Sequence, residues 1–78
     1  MPSVMRIGPF RFFFYSNEDC EPVHVHVQRD RMLAKFWLAP VALAASTGFP
    51  PKELRRLELM VIKYRELFLE AWNEHFGS

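Results

Sequence analysis

The feature that most constrains the fold is the strict alternation at residues 23–28, VHVHVQ, where three valines alternate with His24, His26 and Gln28. A period of two is typical of a β-strand that buries one of its faces. Other runs rich in aromatic and aliphatic residues are bounded by polar or Pro-containing turns, which indicates further strands. The sequence therefore predicts an antiparallel β-meander of three to four strands, at about 10–16, 23–28, 32–38 and 41–45.

The remainder of the chain has the pattern of a helix. Apolar residues recur there at spacings of three and four, which is typical of a helix with one buried stripe. The members of this stripe are Leu54, Leu57, Val61, Tyr64, Phe68, Ala71, Trp72 and His75. We expect one long C-terminal helix at about 51–76, packed on the meander. With 78 residues, the chain is expected to form a single α+β domain over residues 1–78.

The turns of the meander also predict the register of strand pairing. This register is strongly constrained, because a shift of one residue would move every side chain of a strand to the other face of the sheet. The expected cross-strand pairs are Phe12 with Val27, Phe14 with Val25, Val25 with Phe36, Val27 with Ala34, and Phe36 with Leu43. One face of the sheet is then uniformly apolar and available to the helix. Its members are Phe12, Phe14, Val23, Val25, Val27, Met32, Ala34, Phe36 and Leu43.

The opposite face, here called the open face, carries the candidate site. In the same register His24 lies between Tyr15 and Trp37, and His26 lies between Phe13 and Lys35. A sheet face that only meets water does not need this mixture of rings, imidazoles and cations. The expected catalytic residues, if the face is catalytic, are His24, His26 and Lys35. The expected binding residues are Arg11, Phe13, Tyr15, Gln28 and Trp37, and Leu33 completes the face.

Four functions fit these residues. Exposed apolar patches are typical of contact with a partner, which includes a second copy of the chain. Two histidines at i and i+2 have a spacing from which they can share a zinc ion, but a site needs three or four ligands and this face offers no carboxylate or Cys. A metal-independent ribonuclease could use His24 and His26 as acid and base, with Lys35 or Arg11 stabilising the charge on phosphorus. Nucleic-acid or peptide binding without catalysis needs only the cations and rings.

Composition limits the classes of partner and the compartment. The formal net charge is +1, so no global basic field marks a nucleic-acid-binding protein and any anion site must be local. The single Cys20 cannot form an internal disulfide, which favours a reducing compartment. No apolar run approaches the roughly 20 residues of a membrane-spanning helix. We expect a cytoplasmic protein with no cofactor, no bound metal and no membrane contact.

The order of these segments resembles a known family. The residues that carry the resemblance are the aromatic strand, the acidic loop after it, the Pro-x-His-x-His-Val segment at Pro22, His24, His26 and Val27, and a C-terminal helix containing Trp72. From about Arg6 onward the chain is similar to the small bacterial family known as domain of unknown function four-one-six-zero. The resemblance implies a component of a toxin–antitoxin-type gene pair that binds a small cognate protein. It supplies no catalytic residues. The sequence thus favours a protein-interaction module that acts through the His24/His26 face, with RNA as a possible partner and a homo-oligomer as another.

Overall fold

A computed structural model describes residues 3–15 and 20–77, which form an antiparallel five-stranded sheet followed by two helices. The strands are β1 (Ser3–Ile7), β2 (Phe10–Phe13), β3 (His24–Arg29), β4 (Met32–Leu38) and β5 (Val41–Thr47), and each pairs with its neighbour in sequence. The helices are α1 (Pro51–Lys63) and α2 (Arg65–Phe76). The predicted α+β class is confirmed. No helix among the described residues is long and apolar enough to span a membrane.

The prediction of three to four strands is wrong at the N-terminus, where β1 is an additional strand. β1 and β2 are joined by a two-residue turn at Gly8 and Pro9, with Ile7 opposite Phe10. Gly8 has a φ of 56°, which glycine adopts without steric penalty at the first position of such a hairpin turn. β1 is short and contains a bulge between Ser3 and Met5, so it lacks the alternating pattern that marks a strand in a sequence.

Three strand boundaries also differ from the prediction. β2 ends at Phe13, whereas the prediction continues it to residue 16. Residue 16 itself lies outside the described residues. β3 is displaced by one residue, and β5 continues to Thr47. Because β2 ends early, the expected pair of Phe14 with Val25 lies beyond the paired part of the strand. β4 has the predicted bounds.

The register is confirmed wherever the strands are paired. Phe12 lies opposite Val27, and Val27 lies opposite Ala34. Phe36 pairs with Val25 on one side and with Leu43 on the other. A two-residue turn at Asp30 and Arg31 sets this register, with Arg29 opposite Met32. A bulge in the β4–β5 pairing follows Lys35.

The apolar face of the sheet and the helices enclose one core. The buried members of this core are Phe10, Phe12, Phe14, Val25, Val27, Ala34, Phe36, Leu38, Phe49, Leu57, Val61, Phe68 and Trp72. Each such side chain stabilises the fold by about 1.5–3 kcal/mol through removal from water. Leu43 was expected in this core but is 43% exposed, because β5 is the edge strand and α1 covers it only partly.

The single long helix of the prediction is wrong in detail, since the helix is divided at Tyr64. Tyr64 has φ −104° and ψ 17°, although hydrogen bonds from Tyr64 N to Met60 O and from Phe68 N to Tyr64 O continue across it. α1 contacts β4 and β5, whereas α2 contacts β4. Tyr64 therefore marks the residue at which α1 ends and α2 begins. Beyond it, the Arg65 Nε donates a hydrogen bond to the Leu38 carbonyl at 2.5 Å.

Candidate functional site

The structure brings the predicted site residues together on the open face. Three cross-strand rows make up this face, since directly paired residues share a side of the sheet. The first row contains Arg6, Arg11, Gln28, Leu33 and Thr47. The second row contains Phe13, His26, Lys35 and Ala45, and the third contains His24, Trp37 and Ala42. The two imidazole rings lie 5.1 Å apart in an edge-to-face arrangement. From this point the open face also includes Arg6, Ala42, Ala45 and Thr47.

The two histidines nevertheless have different environments. His24 is 0% exposed, while His26 is half-buried. His24 is the first residue of β3, where the chain enters the sheet beside the C-terminal helix. The open face is therefore not uniformly open, because its end at His24 is part of the interior.

Contacts from three parts of the molecule bury His24. Its Nδ1–H donates a hydrogen bond to the Pro22 carbonyl at 2.8 Å, since a carbonyl oxygen can only accept. Its ring packs edge-to-face on Trp37 of β4, with centroids 5.7 Å apart, and on Trp72 of α2, at 5.0 Å. His24 thus joins the sheet, the loop before β3 and the C-terminal helix.

His26 lies in a cluster of aromatic rings at the centre of the face. It stacks on Phe13 at 5.5 Å between centroids, and Tyr15 approaches its edge at 4.5 Å. Phe13 is only 1% exposed, although it points away from the helices. Its ring is covered by His26, by Tyr15 and by the Arg11 guanidinium, which lies 4.6 Å from the ring centroid.

Lys35 is held in place by a carboxylate and a ring. Its Nζ donates to Glu21 Oε1 at 2.6 Å and lies 4.6 Å from the centre of the Trp37 ring. Glu21 belongs to the loop before β3, so this ion pair fastens the loop to the sheet. The charge of Lys35 is already partly neutralised, which reduces what it can offer to a phosphoryl group.

A shallow groove of about 240 Å³ opens beside His26. Its apolar lining residues are Leu33, Ala45 and the core residue Ala34, and its polar lining residues are Tyr15, His26, Lys35, Ser46 and Thr47. Tyr15 is 37% exposed, so this wall of the groove is accessible. The groove can take an apolar group and has polar lining residues that can form hydrogen bonds.

The first row of the face ends in cations. Arg6 on β1 lies opposite Arg11 on β2, and Gln28 follows on β3. Gln28 donates from Nε2 to the Asp30 carbonyl at 3.2 Å, so part of its hydrogen-bonding capacity serves the β3–β4 turn. The Arg11 Nε is buried and has no hydrogen-bond partner in the described part of the chain.

The described residues contain no group of three or more His, Cys, Asp or Glu that could hold a metal ion. His24 uses its Nδ1–H for the Pro22 carbonyl, which further limits how the two histidines could share an ion.

Several residues of the site were not found from the sequence. Glu21 and Pro22 are in a loop whose path no periodicity specifies, and Arg6 is on the unpredicted β1. Ser46 and Thr47 are in the part of β5 beyond its predicted end. Trp72 was identified as a residue of the helix stripe, but nothing in the stripe indicated that it would reach His24. The one available signal was the Gly8-Pro9 turn, which would have revealed β1 and Arg6.

Comparison with known proteins identifies a family and no closer relative. A family model described as a domain of unknown function, DUF4160, matches residues 10–73. The matched region contains β2 to β5, both histidines and Trp72. A search of the curated proteins found no match. A search of the solved structures also found none.

Proposed function

The chain belongs to the DUF4160 family of domains of unknown function, and we propose that it is a protein-interaction module that binds a partner through the open face. The partner we propose is a small cognate protein, as in a toxin–antitoxin-type gene pair of a bacterium. A cytoplasmic location is part of the proposal, since an exposed single Cys20 is compatible with a reducing compartment.

The observation that carries the proposal is the groove beside His26. Its volume of about 240 Å³ is below the roughly 300–1,000 Å³ of typical small-molecule sites. A groove of this size suits one side chain of a protein, and protein interfaces concentrate their binding energy in such anchored side chains. Tyrosine, tryptophan and arginine are the residues most enriched at these positions, and the open face carries Tyr15, Trp37 and Arg11.

The rigidity of the face supports the same function. His24 is enclosed by Trp37 and Trp72, and Glu21 fastens the preceding loop through Lys35. A surface that is already ordered loses little conformational entropy when it binds. We infer that His24 organises the face from within, while His26 and its neighbours contact the partner.

The ribonuclease alternative has less support. A general acid or base must come within about 2.6–3.2 Å of the proton that it transfers, and the His24 side chain is fully buried. Lys35 is also paired with Glu21. Acid–base catalysis by two imidazoles would require the end of the sheet to open first.

Co-purification with the product of the neighbouring gene tests the proposal. We expect the tagged chain to bring down that protein in a stoichiometric complex. Leu33→Glu, which introduces a carboxylate into the apolar lining of the groove, should abolish the complex. The matched control is Leu59→Glu on α1, where the side chain is 62% exposed. Circular dichroism should show that both variants remain folded.

Three results would contradict the proposal. The first is a complex that survives Leu33→Glu and is lost in Leu59→Glu. The second is a wild-type chain that forms no complex but a stable dimer by light scattering, which Trp37→Lys converts to a monomer. The third is RNA cleavage by the chain freed of its partner, in the presence of chelator, that disappears in His26→Ala. The second result would favour a homodimer, and the third would favour the ribonuclease.

A further inference from the structure

The cationic end of the open face has an arrangement that the fold itself does not explain. Arg6 and Arg11 are direct cross-strand partners on β1 and β2. Like charges at such positions destabilise a sheet, because the two side chains are neighbours on the same face. The pair therefore does not stabilise the hairpin by itself, whereas an anion bound between the two side chains would do so.

Three other cations of the described chain have carboxylate partners, and one of them, Lys35, lies on the open face. Lys35 pairs with Glu21, Arg29 with Glu53, and Arg65 with Glu66. Within the described residues, neither Arg6 nor Arg11 forms an ion pair. In the described part of the chain, the two arginines are thus the place on the open face where positive charge is not paired with a carboxylate.

Arg11 is also held in a fixed position. Its guanidinium lies 4.6 Å from the centre of the Phe13 ring, and its Nε is buried. Stacking on an aromatic ring orients the planar guanidinium, so less conformational freedom is lost when it forms hydrogen bonds. Arg6 is exposed and can close on an anion from the other side.

We infer that Arg6 and Arg11 form an oxyanion site for a carboxylate of an acidic segment in the partner protein. This inference rests on the proposed function and adds the chemistry of the partner to it. Guanidinium groups bind carboxylates in a bidentate, charge-assisted manner. Nucleic acid is the less favoured ligand, because a phosphodiester backbone is followed by a track of cations and the chain has a formal net charge of only +1.

The distance between this site and the groove limits the sequence of the partner segment. Neighbouring strands are about 4.8 Å apart, and Arg11 on β2 and Arg6 on β1 are two and three strands away from Leu33, the groove residue of the same row on β4. The separation is therefore about 10–14 Å. An extended segment spans it with about three to four residues, and a helix with about seven to nine. The partner should carry an apolar anchor and an acidic residue at one of these spacings.

A peptide titration followed by NMR tests the inference. The probe is a blocked peptide with a leucine, a short glycine spacer and an Asp-Glu pair, at low ionic strength, where screening is weak. We expect shifts at the backbone amides of β1 and β2 and at the Nε–H of Arg11. The Arg6→Gln, Arg11→Gln double variant should bind at least about tenfold more weakly, because two charge-assisted contacts are lost. The control is the Arg55→Gln, Arg56→Gln double variant on the exposed surface of α1, which should bind like wild type.

Two matched ligands complete the experiment. A peptide with Asn-Gln in place of Asp-Glu should cause no shifts at β1 and β2; equal binding of both peptides overturns the site. Oligouridylate should bind more weakly than the acidic peptide. Tighter oligouridylate binding that is lost in the Arg6/Arg11 variant would assign the site to nucleic acid and overturn the inference.

The failure of this site can be distinguished from the failure of the proposed function. If the Arg6/Arg11 double variant binds the product of the neighbouring gene as tightly as wild type, the oxyanion site is refuted and the interaction module stands. If the wild-type chain binds no such protein, the proposed function fails, and the inference about the chemistry of its partner fails with it.

Discussion

Replacing His24 with alanine tests the assignment of this residue to the interior. The imidazole is 0% exposed and packs against Trp37 and Trp72. Truncating a buried aromatic ring to alanine costs about 3–5 kcal/mol, and the smaller imidazole ring should fall near the lower limit. Loss of the hydrogen bond to the Pro22 carbonyl at 2.8 Å adds about 1 kcal/mol. We expect the free energy of unfolding to fall by about 3–4 kcal/mol.

This loss is large for a domain of this length. At about 0.05–0.15 kcal/mol per residue, the 78-residue chain should have a total stability of about 4–12 kcal/mol. His24→Ala should therefore lower Tm by about 10 °C or more, and a marginally stable chain would unfold. His24→Phe keeps an aromatic ring between Trp37 and Trp72 and loses the hydrogen bond to Pro22, so it should cost about 1–2 kcal/mol.

The matched control is His26→Ala, two residues along the same strand. Because His26 is half-buried, we expect this variant to lose about 1 kcal/mol. Urea unfolding followed by circular dichroism gives all three values. Equal effects of His24→Ala and His26→Ala, both near 1 kcal/mol, would refute the argument that one histidine belongs to the interior and the other to the surface.

Three further predictions concern the rest of the fold. Gly48→Ala should lower the free energy of unfolding by about 1–3 kcal/mol, because Gly48 has φ 91° and a new Cβ would lie 2.9 Å from Met32 Cγ. Gly8→Ala should cost less, since nothing lies within 4 Å of its new Cβ. Thermal unfolding of both variants measures the two costs, and the reverse order would contradict this reasoning. The ion pair between Arg29 and Glu53 joins β3 to α1, and the two side chains are 35% and 17% exposed. A double-mutant cycle with Gln at both positions should therefore give a coupling energy of about 0.5–1 kcal/mol. A coupling energy near zero would show that the contact is not maintained in solution. Lys35→Ala should change the unfolding free energy by less than about 1 kcal/mol, since its partner Glu21 is 44% exposed; a larger loss in urea unfolding would show that this ion pair holds the fold together.

The period-two pattern of β3 predicted much of the fold. Once Val25 and Val27 face the helix, the neighbouring turns allow only one register in which Phe36 and Phe12 also face it. The pairs of Val27 with Ala34 and of Phe36 with Leu43 follow from this agreement. Side-chain burial along the centre of the sheet could thus be predicted from local pattern and turn length alone.

Features at the ends of the elements could not be predicted in this way. The division between α1 and α2 at Tyr64 could not be predicted, because no Pro or Gly lies nearby in the sequence to indicate it. Alternation places His24 on the same face as His26, which is correct. It says nothing of the loop at Pro22 or of Trp72, which close over His24 in three dimensions. The environment of the first residue in a strand depends on such long-range contacts.

The most direct test of the open face as a binding surface is methyl NMR of the complex with the product of the neighbouring gene. Saturation transferred from the unlabelled partner identifies the methyl groups that it touches. We expect transfer to Leu33, Ala42, Ala45 and Thr47 on the open face, with none to Leu59, Ile62 and Leu67, which are exposed on the helices. Transfer confined to Leu59, Ile62 and Leu67 would contradict the account and would assign partner binding to the helical side of the molecule.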